Sequence, residues 1–151
     1  MDLRPELLPP AVDPRRLDAL HTEIGRITDL LATGSTDAEA AITAFNADTG
    51  HAYTVRDFAD PCAARSLTDF ATEAARPAHP RVPDITRDEL AEIIHRIATG
   101  DRETDHYLRL LHASIPHPHL ADLIFHPPAH LRDAPPHALA DAALAYRPIA
   151  L

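Results

Sequence analysis

Histidine is the residue type best able to do chemistry in this chain. Eleven of the 151 residues are histidine, and seven of them fall between His106 and His137. His117-Pro118-His119 has the spacing of a two-ligand metal motif, and His126 and His130 stand four apart. Pro127 and Pro128 separate that second pair, so it cannot share one turn of a regular helix. A metal site is the sharp reading of this cluster. A polar, turn-rich surface is the bland one, and the residues favour it, so no metal or cofactor is expected. Imidazoles gathered in this way titrate near neutral pH and would make any interface there sensitive to it.

Other chemistry has little support. Cys62 follows a proline in a helical pattern and has no basic neighbour, which reads as a structural thiol. No serine stands in a glycine-flanked elbow, and four glycines do not make a phosphate-binding loop. The carboxylate pairs Asp57/Asp60 and Asp101/Glu103 read as solvated caps and helix faces. An enzyme is not expected.

The charge balance narrows the partners. There are 23 acidic and 14 basic residues, a net charge of −9, and every basic residue is arginine. Such a chain is poorly suited to bind nucleic acid directly, because neutralising phosphates needs a basic surface. It suits a basic protein partner. A single cysteine excludes an internal disulfide framework. The first residues do not form a signal peptide, and no apolar run is long enough for a membrane span, so a cytoplasmic location is expected.

The elements that would position these residues are helices. Fifteen prolines punctuate the chain, and no β-branched run alternates usefully. Asp13-Pro14 opens a helix carrying Leu17, Leu20, Ile24, Ile27 and Leu31, closed by Gly34. Thr36 to Glu39 reads as a capping box for a second helix with Ala41, Ile42 and Phe45 inward. Thr54 and Ser66 begin two shorter helices, the first limited by Pro61. Pro77, Pro80 and Pro83 then mark a linker. Beyond it, Thr86 to Glu89 is a further capping box, followed by Leu90, Ile93, Ile94 and Ile97. A helix from about Glu103 to Ser114 carries Tyr107, Leu108 and Leu111 inward. Leu120 to Phe125 is a short piece between prolines. Asp133 caps the last helix, whose stripe is Leu139, Ala142, Ala143 and Tyr146, and Pro148 ends it. With aromatics at 5% and no tryptophan, aliphatic residues are expected to do the packing. The expected division is 1–76, a helical module; 77–83, a linker; and 84–151, a second helical domain.

The string His117-Pro118-His119-Leu120-Ala121-Asp122-Leu123-Ile124-Phe125-His126-Pro127, then Asp133-Ala134-Pro135, resembles the immunity proteins of nuclease colicins and S-type pyocins. That family carries a His-Pro turn, Ser-Asp-Leu-Ile-Tyr-Tyr-Pro, and Asp-Ser-Pro at its last helix. Asp84 to Leu90 is similar to its acidic first-helix start. The resemblance covers about Asp84 to Arg147. It implies an all-α fold, a small distorted four-helix bundle with a short third helix, here preceded by an additional helical module. It implies a protein that inhibits a bacterial nuclease toxin without catalysis of its own, by docking beside the toxin's active site. The resemblance makes Asp122, Phe125 and His126 the shared toxin anchor, and it assigns partner choice to Glu103, Asp105, Arg109 and His112 on the second helix.

Both tyrosines of the family pattern are replaced, which keeps a ring at Phe125 but removes its hydroxyl. Read from the residues alone, Asp122 can cap its own short helix or meet a basic partner residue. The module before residue 77 matches nothing in the family pattern and could be an added contact surface, a dimerisation unit or a scaffold. The alternative to immunity is therefore a helical interaction module without toxin-neutralising activity. A homodimer through either module is open.

Overall fold

The computed structural model describes residues 1–59 and 66–146. Asp60, Pro61 and Cys62, and at the other end Arg147 and Pro148, lie outside the described residues, so the readings placed on them are not taken further. Among the described residues all regular structure is helical, as eight α-helices and two single 3-10 turns. They are α1 (Pro14–Ala32), α2 (Ala38–Thr49), α3 (Val55–Ala59), α4 (Leu67–Ala75), α5 (Arg87–Ala98), α6 (Thr104–Ser114), α7 (Leu120–Phe125) and α8 (Pro136–Ala145). The contacts divide the chain into two compact units, one of residues 10–78 and one of residues 1–9 together with 79–151.

In the unit of residues 10–78, α1 packs against α2, α3 and α4. Its start is a local event. The Asp13 carboxylate accepts the Arg15 backbone N–H at 2.9 Å, and Pro14 occupies the first helical position. At its other end Gly34 takes φ +67°, and Ser35 N–H bonds back to the Leu30 carbonyl at 2.9 Å. Most buried residues of this unit's core are aliphatic, as composition suggested, but an aromatic cluster sits among them. Phe45, Phe58, Phe70 and Tyr53 contact one another with ring centroids 4.9–6.4 Å apart. Four of the chain's seven aromatic residues are thus spent in one cluster, which a chain-wide percentage hides. Asn46 holds the loop that delivers Tyr53, giving its amide N–H to the Tyr53 carbonyl and accepting the Tyr53 N–H, both at 2.9 Å. The Thr36–Glu39 capping box does not form. The helix begins at Ala38, the Asp37 side chain makes no cap bond, and Ser35 Oγ takes the Asp37 N–H instead.

The second unit is built around α5. That helix packs against α6, α7 and α8, and α7 touches both α6 and α8, which is a four-helix arrangement. Both halves of its capping box are made: Glu89 N–H donates to Thr86 Oγ1 at 3.1 Å, and Thr86 N–H to Glu89 Oε1 at 3.0 Å. Leu90, Ile93, Ile94 and Ile97 are all buried, matching the i, i+3, i+4, i+7 pattern. A fork from Arg87 to the two Asp141 oxygens, and His137 on Asp88 at 3.1 Å, tie the start of α5 to α8.

Two features of this unit were not anticipated. Asp133 does not cap α8. The helix begins at Pro136 after Pro135, and Asp133 lies outside it with φ +63°, a left-handed conformation that aspartate tolerates better than most residues. Pro136 occupies the first helical position, where its fixed φ already suits the helix, and no side-chain cap bond is made. The second is that residues 1–9 pack with 79–151 rather than with the module that follows them. Leu7 is fully buried and Leu3 nearly so, both in the core shared with α5, α6, α7 and α8.

Candidate functional site

The short helix α7 is held between two proline-marked turns. A helix of six residues is not stable alone, so its neighbours must fix it. Leu120, Leu123 and Ile124, at i, i+3 and i+4, are buried in the second unit's core. The turn before it is also ordered: His119 N–H donates to His117 Nδ1 at 3.0 Å, and the His117 ring packs on Tyr146 with centroids 5.1 Å apart. Pro127 follows the helix, and His126 N–H closes it on the Asp122 carbonyl at 2.7 Å.

The opposite face carries Asp122, Phe125 and His126, again at i, i+3 and i+4. All three are exposed. Phe125 is 47% exposed, although its aliphatic neighbours are packed away. A large ring left half in water beside a rigid backbone is the usual form of an interface anchor. Asp122 does not cap its own helix. The N-cap residue is His119, no side-chain cap bond is made, and the Asp122 carboxylate has no hydrogen bond among the described residues. Of the two roles open to Asp122, local capping is therefore not the one it performs here.

On α6, Asp105, Arg109 and His112 are spaced i, i+4 and i+7 and run along one stripe. Asp105 and His112 are exposed and Arg109 is half-buried. Glu103 stands apart from that stripe, at the N-cap, half-buried, with its N–H on Asp101 Oδ1 at 2.8 Å. Across α6 from the stripe, His106, Tyr107, Leu110 and Leu111 are buried. Leu108, read as inward, is only partly buried, and Leu110 takes the deeper place.

Some carboxylates of this unit are held in ion pairs and others are not. Asp84, Asp88, Glu89 and Asp141 are engaged by Arg4, Arg87 and His137. The Arg87 guanidinium holds the Asp141 carboxyl below the usual range, and Arg4 does the same for Asp84 and, against the effect of burial, for Glu89. Asp105, Asp122 and Asp133 are exposed and make no ion pair among the described residues. Exposed carboxylates without an ion pair are thus found on α6, on α7 and in the turn before α8.

Residues 82–148 match the family model described as colicin immunity protein / pyocin immunity protein. That segment of the second unit is similar to the colicin/pyocin immunity family. The match takes in α5 to α8, and it covers somewhat under half of the chain. No curated protein and no solved structure matches the chain.

The second unit brings Asp122, Phe125 and His126 onto one exposed face, and Asp105, Arg109 and His112 onto another stripe. The histidine-rich stretch does not converge: among the described residues no three His, Cys, Asp or Glu side chains group as a metal site. No described helix is long and apolar enough to cross a membrane. Sequence reasoning missed Arg4, Leu3 and Leu7, whose partners are some 80 to 100 positions away. The one local signal was the leucine spacing of the first eight residues, too short to read as an element.

Proposed function

We propose that this protein is a bacteriocin immunity protein whose partner is a nuclease-type toxin domain, which it binds and inhibits beside the active site. The single observation that carries the reading is α7. Its inward face is locked by three buried aliphatic residues, and its outward face offers an exposed ring, a carboxylate with no internal bond and an imidazole. This is an anchor prepared in advance, so little ordering is required on docking.

Inhibition needs no catalysis in this reading. The 10 acidic residues against 6 arginines of residues 84–151 give that segment a net charge of −4. A nuclease must present a basic cleft to the phosphate backbone, and an acidic protein beside that cleft attracts the enzyme and repels its substrate. Asp122 would meet a basic toxin side chain, Phe125 would fill an apolar pocket, and His126 would border it. Asp105, Arg109 and His112, with Glu103 at the start of α6, would select among related toxins, since charged rim contacts discriminate partners more than they add affinity.

The test is size-exclusion chromatography of the protein with the catalytic domain of the bacteriocin encoded beside its gene. A one-to-one complex that persists at nanomolar concentration supports the reading. Separate elution of the two proteins at micromolar concentration overturns it.

A further inference from the structure

The segment that precedes α1 is bound to the immunity unit by four kinds of contact. Leu7 and Leu3 enter its core. Arg4 spans two carboxylates: its Nε donates to Glu89 Oε2 at 2.7 Å and its Nη2 to Glu89 Oε1 at 3.1 Å, while Nη1 and Nη2 reach Asp84 at 3.3 and 3.2 Å. His106 Nε2, buried on α6, donates to the Leu7 carbonyl at 3.2 Å. Arg96 on α5 donates to the Met1 carbonyl at 3.3 Å with one nitrogen and to the Tyr107 hydroxyl on α6 at 2.9 Å with another. The same nine residues thus grip both α5 and α6. Glu89 is at once the third residue of the α5 capping box and the partner of Arg4, so helix start and segment docking share one carboxylate.

Residues 10–78 have a separate core, and their two ends meet: Arg76 Nε donates to the Pro10 carbonyl at 3.1 Å. A unit that begins and ends at one place can be carried within another without interrupting its fold.

We infer that the immunity unit is discontinuous in sequence: residues 1–9 are a strap that completes it and fastens α6 to α5, and residues 10–78 are an insert between the strap and the rest. The strap holds the helix that displays Asp105, Arg109 and His112 without itself belonging to that display. The segment matched by the family model is then not the whole folding unit, and cutting the chain at residue 82 would remove part of the core.

Hydrogen exchange read by mass spectrometry on the free full-length chain tests this, with Leu7→Ala and Arg4→Ala as the variants. Local opening exposes the amides of whichever unit has lost its support. In Leu7→Ala, exchange across residues 87–98 and 104–114 should quicken by about tenfold or more, with a smaller rise in Arg4→Ala, and residues 14–32 and 67–75 should keep the wild-type rate. Equal quickening in α1 and α4 overturns the inference, as does an unchanged α5 and α6 in both variants. Should Leu7→Ala not fold, Arg4→Ala decides alone, since it removes a partly exposed guanidinium and no core volume. No toxin enters the experiment, so its outcome is independent of whether the immunity reading holds.

Discussion

Replacing Phe125 with alanine separates an anchor from a core residue. A phenylalanine side chain buries roughly 150–250 Å² when fully covered. Phe125 is 47% exposed, so about half of that area, roughly 70–120 Å², remains to be covered by a partner. At about 25 cal/mol per Å² this corresponds to about 2–3 kcal/mol of binding. The toxin complex should therefore weaken by roughly 30- to 150-fold on Phe125→Ala. The effect should lie mainly in the dissociation rate, because removing a neutral ring leaves electrostatic steering intact. Folding stability should fall by less, because the lost contacts are those of a half-exposed side chain rather than the cavity cost of a buried one. Surface plasmon resonance against the toxin catalytic domain, paired with urea denaturation of the free variant, reads both quantities. A change in affinity below about threefold, or a stability loss above about 3 kcal/mol with affinity unchanged, would refute the assignment of Phe125 to the docking face.

Asp122→Ala should weaken the same complex, and more so at low than at high salt, since its carboxylate has no internal hydrogen bond and meets a cationic partner; an unchanged affinity at every salt concentration would remove it from the anchor. At Asp133, glycine should be accepted within about 0.5 kcal/mol, whereas valine should cost about 1–2 kcal/mol, because the left-handed backbone there penalises a β-branched side chain; thermal unfolding of the two variants checks it. The Glu89 carboxyl is held below its ordinary value by Arg4, so the pair stabilises the fold above about pH 4.5 and that contribution is lost as pH falls through the lower folded value. Acid denaturation followed by circular dichroism should show this, and Arg4→Ala should flatten the dependence in that window.

Where the determinants of structure were local, the residues announced them. Thr86 and Glu89 lie three apart and make both capping bonds, and the four apolar positions from Leu90 to Ile97 lie on one helical face. The short helix was legible because prolines bound it on both sides, and its i, i+3, i+4 split between buried and exposed faces follows from helical geometry. Asp133 was misread because a capping residue and a turn residue look the same in sequence, and the two prolines after it decided between them. The Thr36 box was misplaced because the helix starts at Ala38, after Asp37 rather than after Thr36. The strap was hard to read because Arg4 and Leu7 find their partners far along the chain, and its leucine spacing is too short to define an element. The aromatic cluster was hidden by averaging, since few rings over a whole chain can still gather in one core.

The most direct test of the account is a titration of the toxin's nuclease activity with this protein. Cleavage of a nucleic-acid substrate by the catalytic domain of the bacteriocin encoded beside the gene is followed as increasing amounts of the full-length chain are added. Activity falling linearly to near zero at one equivalent is the predicted result, the signature of a tight stoichiometric inhibitor. Undiminished cleavage at a tenfold molar excess would contradict it.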